Sequence, residues 1–341
     1  MIGLRKMLKK YFMISIFLFV ILVCYHTIIR RKETLLENSL HQNKYIVYEC
    51  SQYVSCGGWA DRLKGIMSTY AISLLTDRKL IIRIKKTCDI SKYLLPNEID
   101  WNINLHQLEN YHQLTTHNLF IYYNEDFIKN ELKYINFVNY ETNKDVIVIR
   151  TGFNLLPYLA ANPEHRLKLS QLGFNNVKAF TIEKLFYKWY KKLFKFNRNL
   201  QTKYDKLLNN NLKINNNSKL ICAQVRLGGG GGVSIDLKFT SRQNTALYWS
   251  HIKNMFLKNN ENNYSLLFDY KLFITTDTPD VIDEARQVFG KDKVFGFKES
   301  SYHIEFKRSS KQCDKLSELF IDFKLLGDCD MGVISHSGLF F

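Results

Sequence analysis

Apolar residues along the chain fall into short continuous runs separated by stretches with helical spacing. Tyr45–Tyr48, Lys79–Ile84 (KLIIRI) and Asp145–Arg150 (DVIVIR) have the length and content of buried strands. Between the first two, Leu63, Ile66, Met67, Tyr70, Leu74 and Leu75 recur at helical spacing, and Asp61 just before them predicts an N-cap. Residues 85–140 are aromatic-rich and show no period that assigns elements. Residues 176–196 predict a basic, aromatic helix. The segment 209–218, NNNLKINNNS, is polar, offers no core positions and predicts a linker. After it the alternation is regular. Strands are predicted at Lys219–Arg226, Lys271–Asp277, Lys293–Phe297 and Met331–Ser335. Helices are predicted at Ser241–Leu257, Pro279–Gly290 and Asp314–Leu326, the second with Pro at its start and Gly at its end. Apolar strands alternating with helices predict an α/β fold whose parallel sheets are covered on both faces. The units on either side of the linker span 45–208 and 219–341. Ligands of such sheets gather beyond the carboxyl ends of the strands.

The N-terminus changes the picture. Tyr11–Ile29 is 19 residues without Asp, Glu, Lys or Arg. At about 1.5 Å per residue it spans roughly 28 Å, close to the hydrocarbon thickness of a bilayer. Arg5, Lys6, Lys9 and Lys10 precede it, and Arg30, Arg31 and Lys32 follow it. A cleaved signal peptide is the alternative, but Tyr25-His26-Thr27 is a poor cleavage site. The expectation is a signal anchor: cytoplasmic tail 1–10, transmembrane segment 11–29, stem 30–44, and the remainder in the lumen as a single-pass type II protein.

Composition fits this topology. A hydrophobic share of 46% supports a large core and excludes global disorder. The net charge is +16, and beyond residue 32 it is still +9. That balance suits an anionic ligand, and no zinc finger, RNP motif or sharply basic helix indicates nucleic acid. Cys24 lies inside the apolar span. Cys50, Cys56, Cys88, Cys222, Cys313 and Cys329 form an even set in an oxidising compartment, which implies disulfides with the pairing open. Cys222 and Cys329 sit in apolar stretches and read best as buried thiols. No C-x-x-C occurs, so no structural zinc site is expected. Asn216-Asn217-Ser218 and Asn263-Tyr264-Ser265 are glycosylation tripeptides in polar segments.

The strand ends carry the chemistry. Arg226-Leu227-Gly228-Gly229, Thr275-Thr276-Asp277-Thr278 and Ser335-His336-Ser337-Gly338 close three strands of the second unit, and Gly57-Gly58-Trp59-Ala60-Asp61-Arg62 follows the first strand. Arginine forks, hydroxyls and glycines that admit close backbone approach are the chemistry of a diphosphate site. The run Gly228–Gly232 is not a P-loop, because no Lys-Ser/Thr follows it. Asp328-Cys329-Asp330 has the D-x-D form of a metal-binding pair but precedes a strand, at the end opposite the expected ligand side, so no metal is assigned.

CGGWADRLKGI (56–66), QVRLGG (224–229), FITTD (273–277) and VISHSG (333–338) together resemble the ordered motifs of the fucosyltransferase superfamily, which includes α1,2- and α1,6-fucosyltransferases and protein O-fucosyltransferases. The resemblance covers residues 45–341. It implies a GT-B-like fold of two Rossmann-like domains: 45–208 on the acceptor side and 219–341 on the donor side. It implies GDP-fucose as donor substrate, a glycan or glycoprotein acceptor, inversion at the sugar carbon, and neither cofactor nor metal. Arg226 matches the arginine that binds the donor diphosphate, and Gly228 its motif glycine. Asp277 matches an acid near the nucleoside. Ser335, Ser337 and Gly338 match a phosphate-contacting loop, and Gly57, Gly58 and Arg62 the glycine turn. Asp61, beside that turn, is the candidate base. The family's first motif is commonly H-x-R-x-G-D or -T, and here Gln224 and Gly229 replace its flanks. The third motif commonly leads into a helix, and Leu339–Phe341 read as its start. A luminal glycan-binding pseudoenzyme and a Golgi sulfotransferase remain the other readings of the same chain.

Overall fold

The computed structural model describes residues 44–51, 56–84, 88–104, 106, 115–121, 130–174, 181–211, 218–228, 240–257, 269–298 and 310–335, together with Tyr25. The predicted tail, the stem up to residue 43 and, apart from Tyr25, the span Tyr11–Ile29 lie outside these residues. So do Ser337, Gly338, the glycine run after Gly228, and Leu339–Phe341. Among the described residues no helix is long and apolar enough to cross a membrane.

In chain order the first half runs β1 (Tyr45–Cys50), α1 (Trp59–Thr76), β2 (Lys79–Ile84), β3 (Leu94–Pro96), β4 (Thr116–Ile121), β5 (Val146–Thr151), α2 (Leu156–Ala161), α3 (Arg166–Gln171), α4 (Ile182–Leu193), β6 (Phe194–Phe196) and α5 (Arg198–Asn211). The second runs β7 (Lys219–Val225), α6 (Thr245–Ile252), β8 (Tyr270–Thr276), α7 (Asp280–Phe289), β9 (Val294–Phe295), α8 (Ser310–Asp328) and β10 (Met331–Ile334). One parallel sheet has the order β2-β1-β5-β4 and a second the order β10-β7-β8-β9. β3 and β6 pair antiparallel.

Several boundaries move for local reasons. β1 continues past Tyr48 because Glu49 is held on the sheet by Arg83 (3.6 Å) and by Arg150 Nε (2.7 Å). α1 begins at Trp59 rather than at Asp61: Gly58 is the extended cap residue, and Asp61, three residues on, accepts the Gly58 N–H at 3.1 Å. Of the predicted helix at 176–196, residues 176–180 lie outside the described residues, α4 covers Ile182–Leu193, and Phe194–Phe196 leaves the helix to pair with β3. α5 runs into the predicted linker as far as Asn211. The predicted helix at Ser241–Leu257 is a short 3-10 turn, then α6, then a π-turn.

Strand alternation sorts the second sheet. Ile221, Ala223, Val225, Leu272 and Ile274 face α6 and α7 and pack with Trp249, Ile252, Val281, Ile282 and Ala285. Cys222 and Phe273 face the other way and belong to the same core as the first half. The element between the halves is α8. Its Phe320 contacts Trp59 (ring centroids 4.8 Å apart) and Tyr93 (5.7 Å), and its Phe323 contacts Phe186 (5.6 Å) and Tyr190 (5.5 Å). On the opposite side of the helix, Asp322 and Leu325 meet the second sheet. At its end, Asp328 accepts hydrogen bonds from the Tyr187 and Tyr204 hydroxyls. Burial pushes the Asp328 carboxyl up, but hydrogen bonds from Lys324, Tyr187 and Tyr204 outweigh it and hold the group below the ordinary carboxylate range.

The six cysteines outside the N-terminal span pair as Cys50–Cys56, Cys88–Cys313 and Cys222–Cys329. The reading of Cys222 and Cys329 as free buried thiols is therefore corrected. β10 pairs with β7, so the turn after α8 sets Cys329 over Cys222, with their Cα atoms 6.0 Å apart. Cys88–Cys313 joins the first half to the start of α8.

Because Phe320 is fully buried against Trp59 and Tyr93, Phe320→Ala is expected to lower stability by about 3–5 kcal/mol, while Phe320→Leu loses about 1.5 kcal/mol or less. Urea midpoints of the two variants check this; equal small losses would mean that α8 is not the joint between the halves.

Candidate functional site

Two groups of residues lie beyond the carboxyl ends of the two parallel sheets, with α8 between them. In the first, the disulfide Cys50–Cys56 brings the chain back beside β1, and Gly57-Gly58 lead into α1. Gly57 has φ +69°, and a Cβ there would stand 2.4 Å from the Asp61 carboxylate, so no other residue fits the turn. Arg62 is fully buried and its Nε donates to the Gly57 carbonyl at 3.2 Å. It supports the turn from below. Asp61 uses one oxygen for the Gly58 N–H and the other for Lys64 at 2.7 Å, and its side chain remains partly exposed.

In the second group, Arg226 directly follows β7. Its backbone N–H donates to Ser335 Oγ at 3.2 Å, and its Nε lies 4.0 Å from Asp277 Oδ2. Ser335 is buried, and its own N–H donates to the Gln224 carbonyl at 3.0 Å. Asp277 neither caps α7 nor stands free. Its two oxygens accept the N–H groups of Leu227 (2.9 Å) and Gly228 (2.8 Å), and one also accepts the Thr278 hydroxyl (3.1 Å). Gly228 turns there at φ +74°. The carboxylate thus fixes the loop that carries the Arg226 guanidinium. The structure brings Arg226, Gly228, Asp277 and Ser335 together, and Gly57, Gly58, Asp61 and Arg62 together. Ser337 and Gly338 lie outside the described residues.

On the β7 face that meets α8 lies a polar cluster that the motifs did not reveal. Cys222 and Gln224 step along one face of β7, and Gln224 is opposite Thr275 of β8 in register. The Thr275 hydroxyl donates to Asp322 Oδ2 at 2.7 Å. Asp322 Oδ1 and Gln224 Oε1 are sealed from solvent and have no partner among the described residues, and neither does the Trp59 indole N–H across α8. Buried polar atoms without partners are uncommon. Burial, with Glu318 nearby, pushes the Asp322 carboxyl up to about 7 against the Thr275 hydrogen bond. One sequence signal pointed here: Asp322 is the single acid inside the apolar run Leu319–Phe323.

The D-x-D carboxylates have other partners. Asp328 is bound to the two tyrosines and Lys324, and Asp330 to Lys219 (2.9 Å) and the Leu220 N–H (2.9 Å).

No protein-family model matches the chain, and no curated protein matches it in sequence. Solved structures do. The chain is similar to a mutant of Arabidopsis thaliana FUT1 in complex with GDP, at TM-score 0.56 and 13% identity, over 85% of this chain and 65% of that one. It is also similar to the α-1,6-fucosyltransferase NodZ soaked with GDP-fucose, at TM-score 0.49 and 14% identity, over 85% of this chain and 88% of that one. The α/β fold with its parallel sheets is therefore similar to that of the Arabidopsis FUT1 structure, and the chain covers 65% of that structure's chain.

The raised Asp322 makes a signed prediction. Unfolded, an aspartate releases its proton near 3.8; folded, Asp322 does so near 7. Between those values the folded state holds more protons, so this group's stability contribution falls as pH rises through the window and is flat above it. Asp322→Asn removes the dependence and keeps an acceptor for Thr275. Its melting temperature relative to the parent is expected to rise from pH 5 to pH 7.5, equivalent to about 1–4 kcal/mol. A pH-independent difference would place the carboxyl in water.

Proposed function

We propose that the protein is a glycosyltransferase with a GDP-sugar donor, an inverting fucosyltransferase acting on a glycan or glycoprotein without a metal ion. The observation that carries this reading is the Arg226 guanidinium held beside Asp277 at the end of β7, the strand whose Gln224, with Asp322 of α8, presents acceptors that have no partner among the described residues. A nucleoside diphosphate needs a cation for its phosphates and polar partners for its base. Guanine presents an N1–H and a 2-amino group on one edge, two donors that match an ionised carboxylate, whereas adenine has no N1–H. GDP would supply hydrogen bonds to atoms that are otherwise desolvated without partners. The same fold carries GDP in Arabidopsis FUT1.

In this reading Arg226 opposes the negative charge that builds on the leaving diphosphate as the sugar–phosphate bond breaks, and so stabilises the transition state more than the ground state. Asp277 holds the loop and prevents the guanidinium from drifting. With Asp328 and Asp330 both bound to protein partners, the fixed guanidinium takes the part that a divalent cation plays elsewhere. Asp61 is the carboxylate at the glycine turn and accepts the proton of the acceptor hydroxyl, which passes from that oxygen as it bonds to the sugar carbon. The span Tyr11–Ile29 anchors the enzyme as a type II Golgi membrane protein with this site in the lumen.

Calorimetry of the full chain with GDP, UDP, CMP and adenosine 3′,5′-bisphosphate in EDTA tests the reading. Selective GDP binding is expected, weakened at least tenfold in Arg226→Ala and in Asp322→Asn. Preference for the bisphosphate would point to sulfotransfer, and no nucleotide binding by folded protein would leave a non-catalytic glycan binder. Asp61→Asn retains an acceptor for the Gly58 N–H and is expected to keep GDP affinity while transfer falls about 10²-fold or more. Unchanged transfer in that variant would restrict Asp61 to the turn.

A further inference from the structure

The donor site does not account for where the chain keeps its positive charge. Residues 182–211 contain eight Lys and Arg against two Asp and Glu, so +6 of the +9 net charge beyond residue 32 lies in this one segment. Folding sorts it by face. Leu185, Phe186, Trp189, Tyr190 and Leu193 of α4 are buried against α1 and α8, and Phe194 and Phe196 of β6 are buried as well. Lys184, Lys188 and Lys191, at i, i+4 and i+7, form one exposed stripe on α4, continued by Lys195 and Arg198. α5 adds the exposed Lys203 and Lys206. The two helices are neighbours, because Tyr187 of α4 and Tyr204 of α5 each bind one oxygen of Asp328.

Little of this charge is neutralised among the described residues. Among the described residues, Lys184, Lys188, Lys195, Arg198 and Lys206 have no carboxylate within ion-pair distance, and only Lys192 pairs across to Glu98, at 3.7 Å. Asp205 accepts a hydrogen bond from Gln201. Like charges concentrated this way repel one another unless a polyanion is bound.

We infer that the outer face of α4, β6 and α5 is a docking surface for an anionic polysaccharide, one bearing sulfates or carboxylates, separate from the donor site. The geometry favours that partner over other polyanions. A helix that lies on a bilayer needs an apolar face to insert, and the apolar side chains of α4 are turned into the core. Single-stranded nucleic acid needs exposed aromatic platforms, and the ring of Tyr187 lies under Lys191 Nζ at 4.3 Å. A row of lysines rising about 1.5 Å per residue along a helix offers cations to a chain of regularly spaced anions.

The test uses the full chain in nonionic detergent and a size-defined heparin oligosaccharide as probe, with a neutral dextran oligosaccharide, phosphatidylserine vesicles and a 20-nucleotide RNA as the other arms. Binding to heparin and not to dextran is expected. The triple variant Lys184→Glu, Lys188→Glu, Lys191→Glu is expected to weaken it at least tenfold and to lower the slope of log K against log salt by about 2. The triple Lys79→Glu, Lys133→Glu, Lys291→Glu changes net charge equally and is expected to alter affinity less than twofold. Equal losses in both triples, no heparin binding, or tighter binding to vesicles or RNA would overturn the inference. GDP calorimetry on the same variants separates this result from the donor-site reading. The α4 triple should keep GDP affinity, and loss of GDP binding by the parent would leave the heparin result standing.

Discussion

The packing of α8 between the two sheets is the constraint on which the rest depends. One row of its residues, Phe320 and Phe323, completes the core of the first half, and another, Asp322 and Leu325, lies on the second sheet. Trp59 heads the helix that follows the glycine turn, and Phe320 touches it. Through these contacts one rigid helix sets the glycine turn relative to the strand ends that carry Arg226 and Asp277. Burying two phenylalanines contributes roughly 1.5–3 kcal/mol each, and the Cys88–Cys313 bond adds a covalent tie between α8 and the first half. A parallel sheet has no short connection to the other sheet, so an element shared by both is what keeps a site between them in register.

The donor-side loop shows how charge is used to hold charge. Backbone amides at a strand end attract anions, and here the Asp277 carboxylate occupies those of Leu227 and Gly228. The same carboxylate stands 4.0 Å from Arg226, close enough to orient the guanidinium without forming a tight bidentate pair. In the cluster between β7, β8 and α8, Asp322 and Gln224 present acceptors without donors among the described residues, an arrangement that is favourable once a ligand with N–H groups arrives.

Elsewhere the same residue types have purely structural work. Asp328 and Asp330, spaced as a metal-binding pair, are drawn apart by tyrosines on one side and by Lys219 and the Leu220 amide on the other. Arg62, in the glycine turn motif, is buried under that turn. Position within the fold, and not residue type, separates these from Arg226. The basic face of α4 and α5 is the converse case: among the described residues Lys184, Lys188, Lys195 and Lys206 have no carboxylate partner, and all four are exposed.

By itself the sequence determined the strands and helices with strong periodicity, the α/β class with parallel sheets, and the strand-end placement of Arg226, Asp277 and Ser335. Those follow from local rules: apolar runs of strand length, helical spacing, and turn residues at fixed offsets. It was silent on 85–140, where β3 and β4 exist only because partners distant in the chain pair with them. Only the tertiary structure decided the disulfide pairing, since six cysteines permit fifteen arrangements and the choice rests on which Cα atoms come within bridging distance. It alone showed that Asp277 holds the Arg226 loop and that Asp61 sits inside the helix rather than at its cap. It also revealed Asp322, one acid in an apolar helix, as a buried member of the site. A helix pattern reports which face is apolar, whereas the two surfaces that α8 meets are assembled from segments far apart in sequence, Trp59, Tyr93, Phe186 and Tyr190 on one side and strands β7 and β8 on the other.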